Sequence, residues 1–165
     1  MYKESKDIMM FHKITTTQYW LDKMDDYIPY NEIKLPKRAT KCSAGYDFYS
    51  VRDFTLQPGE SIKLPTGIHV HLDDDKFLAI VPRSGLGFKF RTQLDNTIGI
   101  IDADYTQSDN EGHIWIKITN DSKCGDVLEI KQGDAICQGI ILQYFITEDD
   151  NVTRNRNGGF GSTSK

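Results

Sequence analysis

The run from Ile98 to Tyr105 sets one carboxylate, Asp102, directly after Ile100 and Ile101, and a tyrosine three residues later. An ionised carboxylate in apolar surroundings is costly unless it is paired or has work to do. One that reaches a water molecule can take its proton. Gly99, with no side chain, would let a flat ligand approach the backbone closely. Taken alone, the run also fits a strand that ends in an Asp turn. Four further polar, glycine-bearing islands bear on the choice: Ala44 to Asp47, Pro82 to Gly87, Gly133 to Gln138, and Arg156 to Thr163. Together they offer arginines, hydroxyls and backbone amides for an oxyanion-rich ligand, carboxylates for water or metal, and two rings, Tyr105 and Phe160, for a flat one.

Arg83 is a planar fork suited to phosphate oxygens, Ser84 adds a hydroxyl, and Gly85 lets an amide approach. A helix beginning there would add its own N-terminal amides, and the same residues also fit a plain helix start. Gln138 alone reads as a polar residue at a strand edge. Phe160, alone among Gly158, Gly159 and Gly161 in a polar tail, has no core of its own to fill. It is either incidental or the ring of an arm that orders over a ligand.

Such islands need a rigid frame, and period-two alternation supplies one. Ile62 and Leu64, then Ile68, Val70 and Leu72, then Ile114, Ile116 and Ile118 each alternate with polar residues. Phe77 to Val81 is continuously apolar, as for a strand buried on both faces. Ile136 to Ile146 is long, apolar and β-branched. Turn signals at Pro58-Gly59, Thr66-Gly67, Asp73 to Asp75, Asn120 to Ser122 and Gly133-Asp134 separate these runs. Many short strands at close spacing predict an all-β sandwich or barrel. Helix is expected only at Tyr19 to Asp25 and for a turn or two near Arg83. The chain divides into an N-terminal extension (1–32, strand-like only from Ile8 to Ile14), a core (33–147) and a polar C-terminal arm (148–165) expected to be mobile on its own.

A length of 165 residues suffices for one domain with a real core. A net charge of −4 gives no general attraction to nucleic acid or anionic membrane. No run is apolar and long enough for a membrane-spanning helix, and the first residues lack the order of a signal peptide. Cys42, Cys124 and Cys137 have no metal-type spacing and read as reduced thiols, so the expected location is cytoplasmic. His69 and His71 fall on the polar face of a strand, with no third zinc ligand nearby.

The five islands, in this order and at these separations, resemble the motifs of the trimeric deoxyuridine triphosphatase (dUTPase) family, from about Leu35 to Thr163. The resemblance implies a distorted jelly-roll β-barrel with one short helix, assembled as a homotrimer with exchanged C-terminal arms. It implies hydrolysis of dUTP to dUMP and pyrophosphate, which limits uracil incorporation in DNA and supplies dUMP for dTMP synthesis. Asp102 is then the base that activates water for attack on the α-phosphorus. Arg83, Ser84, Gly85, Gln138, Arg156, Ser162 and Thr163 contact phosphates. Asn96, Gly99 and Ile101 meet the uracil, Tyr105 packs on the deoxyribose, and Phe160 covers the base. Mg²⁺ is implied as cofactor, held mainly by substrate phosphates and water, with Asp47 acting through water.

Several positions depart from the family pattern. Thr106 to Glu111 is a polar insertion between Tyr105 and Gly112, where the family keeps the glycine close. It could alter access to the sugar pocket. Together with the N-terminal extension, it is where a regulatory protein partner would dock. Ala135 stands where a basic residue is frequent, and Gly139 where an aliphatic is usual. Arg154 competes with Arg156 for the arm's phosphate contact. A dCTP deaminase shares the fold but carries a glutamate where Lys117 stands here. A regulatory binding protein on the same scaffold is the third reading, and intact Asp102, Arg83, Ser84, Gln138 and Phe160 argue against it.

Overall fold

The computed structural model describes residues 9–22, 28–154 and 156. Within them the fold is all-β and antiparallel, a distorted jelly-roll barrel. The largest sheet runs β2 (Lys37–Arg38), β3 (Tyr46–Tyr49), β12 (Ala135–Gln143), β7 (Lys76–Pro82) and β9 (Gly99–Asp102). A second sheet orders β5 (Ser61–Pro65), β10 (Trp115–Thr119) and β8 (Gln93–Leu94). Two-stranded ribbons, β1 (Met10–Lys13) with β6 (Ile68–His71) and β4 (Phe54–Leu56) with β11 (Leu128–Ile130), complete the wall.

The alternation seen in the sequence is the packing pattern. Leu64, Ile68, Ile114, Ile116 and Ile118 point into one continuous core with Phe48, Leu78, Leu128 and Ile136. Each fully buried aliphatic side chain of this kind stabilises the fold by about 1.5–3 kcal/mol relative to exposure. The run from Ile136 stops pairing earlier than expected. Gln143 faces Lys76, the first residue of β7, so Tyr144, Phe145 and Ile146 lie beyond the last partner and are exposed.

Helix forms where expected near Arg83, as α2 (Ser84–Phe90). The other helix, α1 (Thr16–Asp22), begins earlier than the predicted Tyr19 because the Thr15 hydroxyl accepts the Gln18 amide at 3.1 Å and caps it. The extension is woven into the barrel: β1 pairs with β6 from Met10–His71 to Lys13–Ile68, and Tyr19 is buried with its hydroxyl donating to the Ile28 carbonyl at 2.7 Å. Among the described residues, no helix is long and apolar enough to cross a membrane.

Neighbours directly across an antiparallel pair share a face. On the inner face of the large sheet, Leu78 and Ile101 stand together, with Ile141 beside them. On the outer face stand Phe77, Asp102 and Leu142, then Ala79, Ile100 and Ile140, then Val81, Gln138 and Asp47. This outer face is apolar in its middle and chemical at both ends. Ile100 and Leu142 are 53% and 44% exposed on it.

His113 is fully buried, its Nε2 2.9 Å from the Gly67 amide and its Nδ1 2.6 Å from the Asp22 carboxylate. The amide can only donate, so Nε2 is the acceptor and Nδ1 carries the proton. Burial lowers the His113 pKa despite the opposing pull of Asp22, and burial also lowers that of His69. The unfolded chain therefore takes up protons below about pH 6.5 that the folded chain refuses. Stability is expected to fall as pH drops from about 6.5 through the folded values, by up to about 1.4 kcal/mol per pH unit for His113 and by less for the half-exposed His69. Urea midpoints from neutral to mildly acidic pH check this. His113→Gln should flatten the slope, and an unchanged slope would contradict it.

Candidate active site

Two groups of polar side chains stand at opposite ends of β7. The first occupies a cleft of about 710 Å³ between the edge of β9 and strand β10. Its walls include Asn96, Gly99, Ile101, Asp102, Tyr105 and Arg156, all expected site residues, together with Lys63, Asp95, Trp115 and Lys117. The hairpin from β8 to β9 shapes the entrance. Thr97 takes φ 65°, its amide donates to the Leu94 carbonyl at 2.9 Å, and the Ile98 amide donates to the Asn96 carbonyl at 2.7 Å. A Cβ on Gly99 would lie 3.1 Å from the Ile80 Cβ. The bare backbone thus lets β9 close on β7, in addition to opening the cleft.

Asp102 ends β9, and its side chain is 48% exposed. Arg156 donates from Nη2 to its Oδ2, and from Nε to Asp104 Oδ1 at 2.7 Å. The same guanidinium lies 5.8 Å from the centre of the Tyr105 ring. Partial burial disfavours the charged guanidinium, but Asp104 and Asp102 outweigh that and raise its pKa. Tyr105 is buried, which raises the pKa of its phenol and keeps the hydroxyl a donor. That hydroxyl donates to the His113 carbonyl at 3.2 Å.

The second group gathers the first, second and fourth islands. Gln138 is directly opposite Asp47 on β3 and Val81 on β7, so residues of the first and fourth islands share one face, two residues before Arg83 of the second. Arg83 Nε lies 3.0 Å from Asp47 Oδ1, and Nη1 donates to the Ala135 carbonyl at 3.2 Å. Gln138 Nε2 donates to the Pro82 carbonyl at 3.1 Å. Gly45 makes room for it: a Cβ there would lie 2.1 Å from Gln138 Oε1. Ser84 and Gly85 are exposed at the start of α2, with open space around Gly85. A guanidinium, an amide and a hydroxyl so disposed can hold anionic oxygens.

The distance between the groups follows from register. Phe77 is opposite Asp102, and Arg83 comes six residues later along the strand, about 20 Å at 3.3 Å per residue. The expected residues are thus brought together as two half-sites rather than one.

Among the described residues no three His, Cys, Asp or Glu side chains converge as a metal cage. The hard oxygen donors nearby are the half-exposed carboxylates of Asp102 and Asp104 and the largely covered Asp47. Such a set suits a cation that keeps most of its water and binds chiefly to phosphates. Phe160, Ser162 and Thr163 lie outside the described residues.

Sequence alone gives four of the cleft residues no role in the site. Lys63 Nζ stands 4.5 Å over the Trp115 ring, and Lys117 pairs with Asp95 at 2.5 Å. The signal was available: Trp115 and Lys117 alternate with the buried isoleucines and so face the other way. Asp104 was likewise unassigned, two residues after Asp102 and sharing its arginine.

A family model described as dUTPase matches residues 31–164. The deoxyuridine 5'-triphosphate nucleotidohydrolase of Haemophilus influenzae is 36% identical over 143 residues, covering 82% of this chain and 90% of that protein. The crystal structure of dUTPase from Streptococcus mutans superposes with a TM-score of 0.65 at 27% identity, covering 84% of this chain and 98% of that one. A D95N mutant dUTPase from phage phi11 of S. aureus, whose structure shows coordination of a structural Mg(II) ion, shares the fold at a TM-score of 0.64 and 20% identity. With nearly the whole barrel and its following arm inside the matched range, the chain belongs to the dUTPase family.

Proposed function

We propose that this protein hydrolyses dUTP to dUMP and pyrophosphate at sites built between chains. The observation that carries the reading is the cleft that gathers Asn96, Gly99, Asp102 and Tyr105, with an anion-holding group at the far end of the same sheet. Uracil enters the β8–β9 hairpin, where backbone groups and Asn96 meet its pairing edge and leave no room for a 5-methyl group. Tyr105 packs on the deoxyribose and crowds out a 2′-hydroxyl.

Asp102 orients a water and accepts its proton as the water oxygen bonds to the α-phosphorus. The α–β bridging bond breaks, pyrophosphate leaves with the bridging oxygen's electron pair, and Asp102 returns the proton to solvent. Before this, Arg156 exchanges carboxylate oxygens for phosphate oxygens, which frees Asp102. Arg83, Ser84, Gly85 and Gln138 neutralise and align the phosphates. Bound Mg²⁺ would supply further charge neutralisation on the phosphates, with Asp47 the nearest carboxylate to that end. Ser162, Thr163 and Phe160 of the arm complete the phosphate and base contacts, and the location is cytoplasmic.

About 20 Å of rigid strand separates Asp102 from Arg83, so a second chain must supply the phosphate group. The apolar strip of Ile100, Ile140 and Leu142 between them is a surface for that chain to cover, and the arrangement repeats as a homotrimer. Co-expressing Asp102→Asn chains with Arg83→Ala chains tests this. Each variant alone should be nearly inactive, while equal co-expression recovers about a quarter of wild-type turnover across the whole population, because about one site in three of each mixed trimer pairs an intact cleft with an intact phosphate group. No recovery in verified mixed oligomers would place both groups in one chain and overturn the composite site.

A further inference from the structure

The polar insertion and the N-terminal extension are bound to each other and, through the insertion, to Tyr105. The Tyr105 hydroxyl accepts a hydrogen bond from Asn110 Nδ2 at 3.0 Å while donating to the His113 carbonyl. Asn110 is itself held, its Oδ1 accepting the Gly112 amide at 3.2 Å and its carbonyl accepting the His113 amide at 3.0 Å. The loop turns back on its own start: a Cβ on Gly112, which has φ 72°, would lie 2.8 Å from the Thr106 Cα. A side chain at position 112 would push the loop off the backbone beside the tyrosine.

Glu111 bolts this loop to the extension. It adopts φ 58°, a left-handed conformation unfavourable for a residue with a side chain, and holds it by two carboxylate bonds. Oε2 accepts the Thr15 amide at 2.8 Å and Oε1 accepts the Thr15 hydroxyl at 2.6 Å. The Glu111 carbonyl meets His69 Nδ1 at 2.9 Å, and Asp22 at the end of α1 accepts the hydrogen bond from His113 Nδ1. Pairing of β1 with β6 anchors the extension that carries Thr15 and Asp22.

We propose that Asn110 is a positioning residue that sets the specificity of Tyr105, and that the Thr15–Glu111 clasp holds Asn110 in place. It rests on the reading of Tyr105 as the wall against the deoxyribose. Asn110 touches neither sugar nor phosphate. It fixes the phenol end of the ring, so the space left for a 2′-hydroxyl depends on it. A ring tied at one end by two hydrogen bonds cannot tilt to admit a ribose, and a ring tied by one can. The additions that distinguish this chain thereby act on sugar choice.

The test is the ratio of kcat/KM for dUTP to that for UTP, measured in Asn110→Ala, Tyr105→Phe, the double variant and Tyr105→Ala, with oligomer and urea midpoint checked for each. Asn110→Ala should lower the ratio about tenfold, through KM rather than kcat for dUTP, and Tyr105→Phe should lower it similarly. The double variant should be no worse than Tyr105→Phe alone, because losing the hydroxyl already removes the Asn110 hydrogen bond along with the one to the His113 carbonyl. Glu111→Ala should shift the ratio in the same direction by less, and it carries the test if Asn110→Ala does not assemble. An unchanged ratio in Asn110→Ala, or a full further loss when it is added to Tyr105→Phe, would overturn the proposal. Should Tyr105→Ala itself leave the ratio intact, the sugar-wall reading fails, and the proposal falls with it for that separate reason.

Discussion

Asp102→Asn should lower pyrophosphate release from dUTP by about a thousandfold or more, within the range lost when a general base is removed. The amide keeps the size and one oxygen of the carboxylate but cannot take the proton from the attacking water. Binding should be preserved, and KM for dUTP should stay level or fall, because a negative charge near the triphosphate has been removed. Arg156 would retain Asp104, which it meets at 2.7 Å, so the arm's hold on the cleft should survive the change. Steady-state release of pyrophosphate at saturating dUTP checks the prediction. Turnover within tenfold of wild type would show that another group activates the water.

Deleting residues 154–165 should lower kcat/KM for dUTP by about a hundredfold while the oligomer stays intact, the scale on which misplaced or uncovered reactants lose rate. Arg156 enters the cleft alongside Asp102, Asp104 and Tyr105, so the deletion removes the cation poised to move onto the phosphates. It also removes the Phe160 ring proposed to cover the uracil and the hydroxyls of Ser162 and Thr163. Closing such an arm excludes water and strengthens each charge interaction inside. Among the described residues the buried core ends at Cys137, before the arm, so the barrel should be indifferent to its loss. Activity measured beside sedimentation of the truncated protein separates the two effects. Undiminished activity would remove the arm from the mechanism. The single change Arg156→Ala, set against Arg154→Ala, decides which arginine serves the phosphates. The first should cost more, because Arg156 is joined to Asp102 and Asp104 by hydrogen bonds inside the cleft.

Much of this architecture was legible because side chains alternate wherever one face of a strand is buried. Ile114, Ile116 and Ile118 announced β10, and Ile62 and Leu64 announced β5, through that period alone. The islands were legible because their residue types make sense together and occur in a family order. What stayed hidden depends on pairings between distant residues. Nothing local to Glu111 says that it will grip Thr15, ninety-six positions away, or that β1 will lie along β6. The end of β12 at Gln143 was set by where β7 begins, and the apolar run gave no sign of it. Local pattern cannot give the division into two half-sites, since it comes from the antiparallel register that puts Asp102 opposite Phe77; only the family resemblance, with its exchanged arms, implies sites shared between chains. The buried half of β10 dominates its pattern, although the same alternation aims Trp115 and Lys117 at the cleft.

This cleft and its distant phosphate group should turn over dUTP in preference to its near relatives. The most direct measurement is pyrophosphate release by the wild-type protein with magnesium present, from dUTP, dTTP, UTP and dCTP in parallel. The expected result is dUMP and pyrophosphate in equal amounts from dUTP, with kcat/KM at least about a hundredfold above each of the others. Equal turnover of dTTP, or release of ammonia from dCTP, would contradict it.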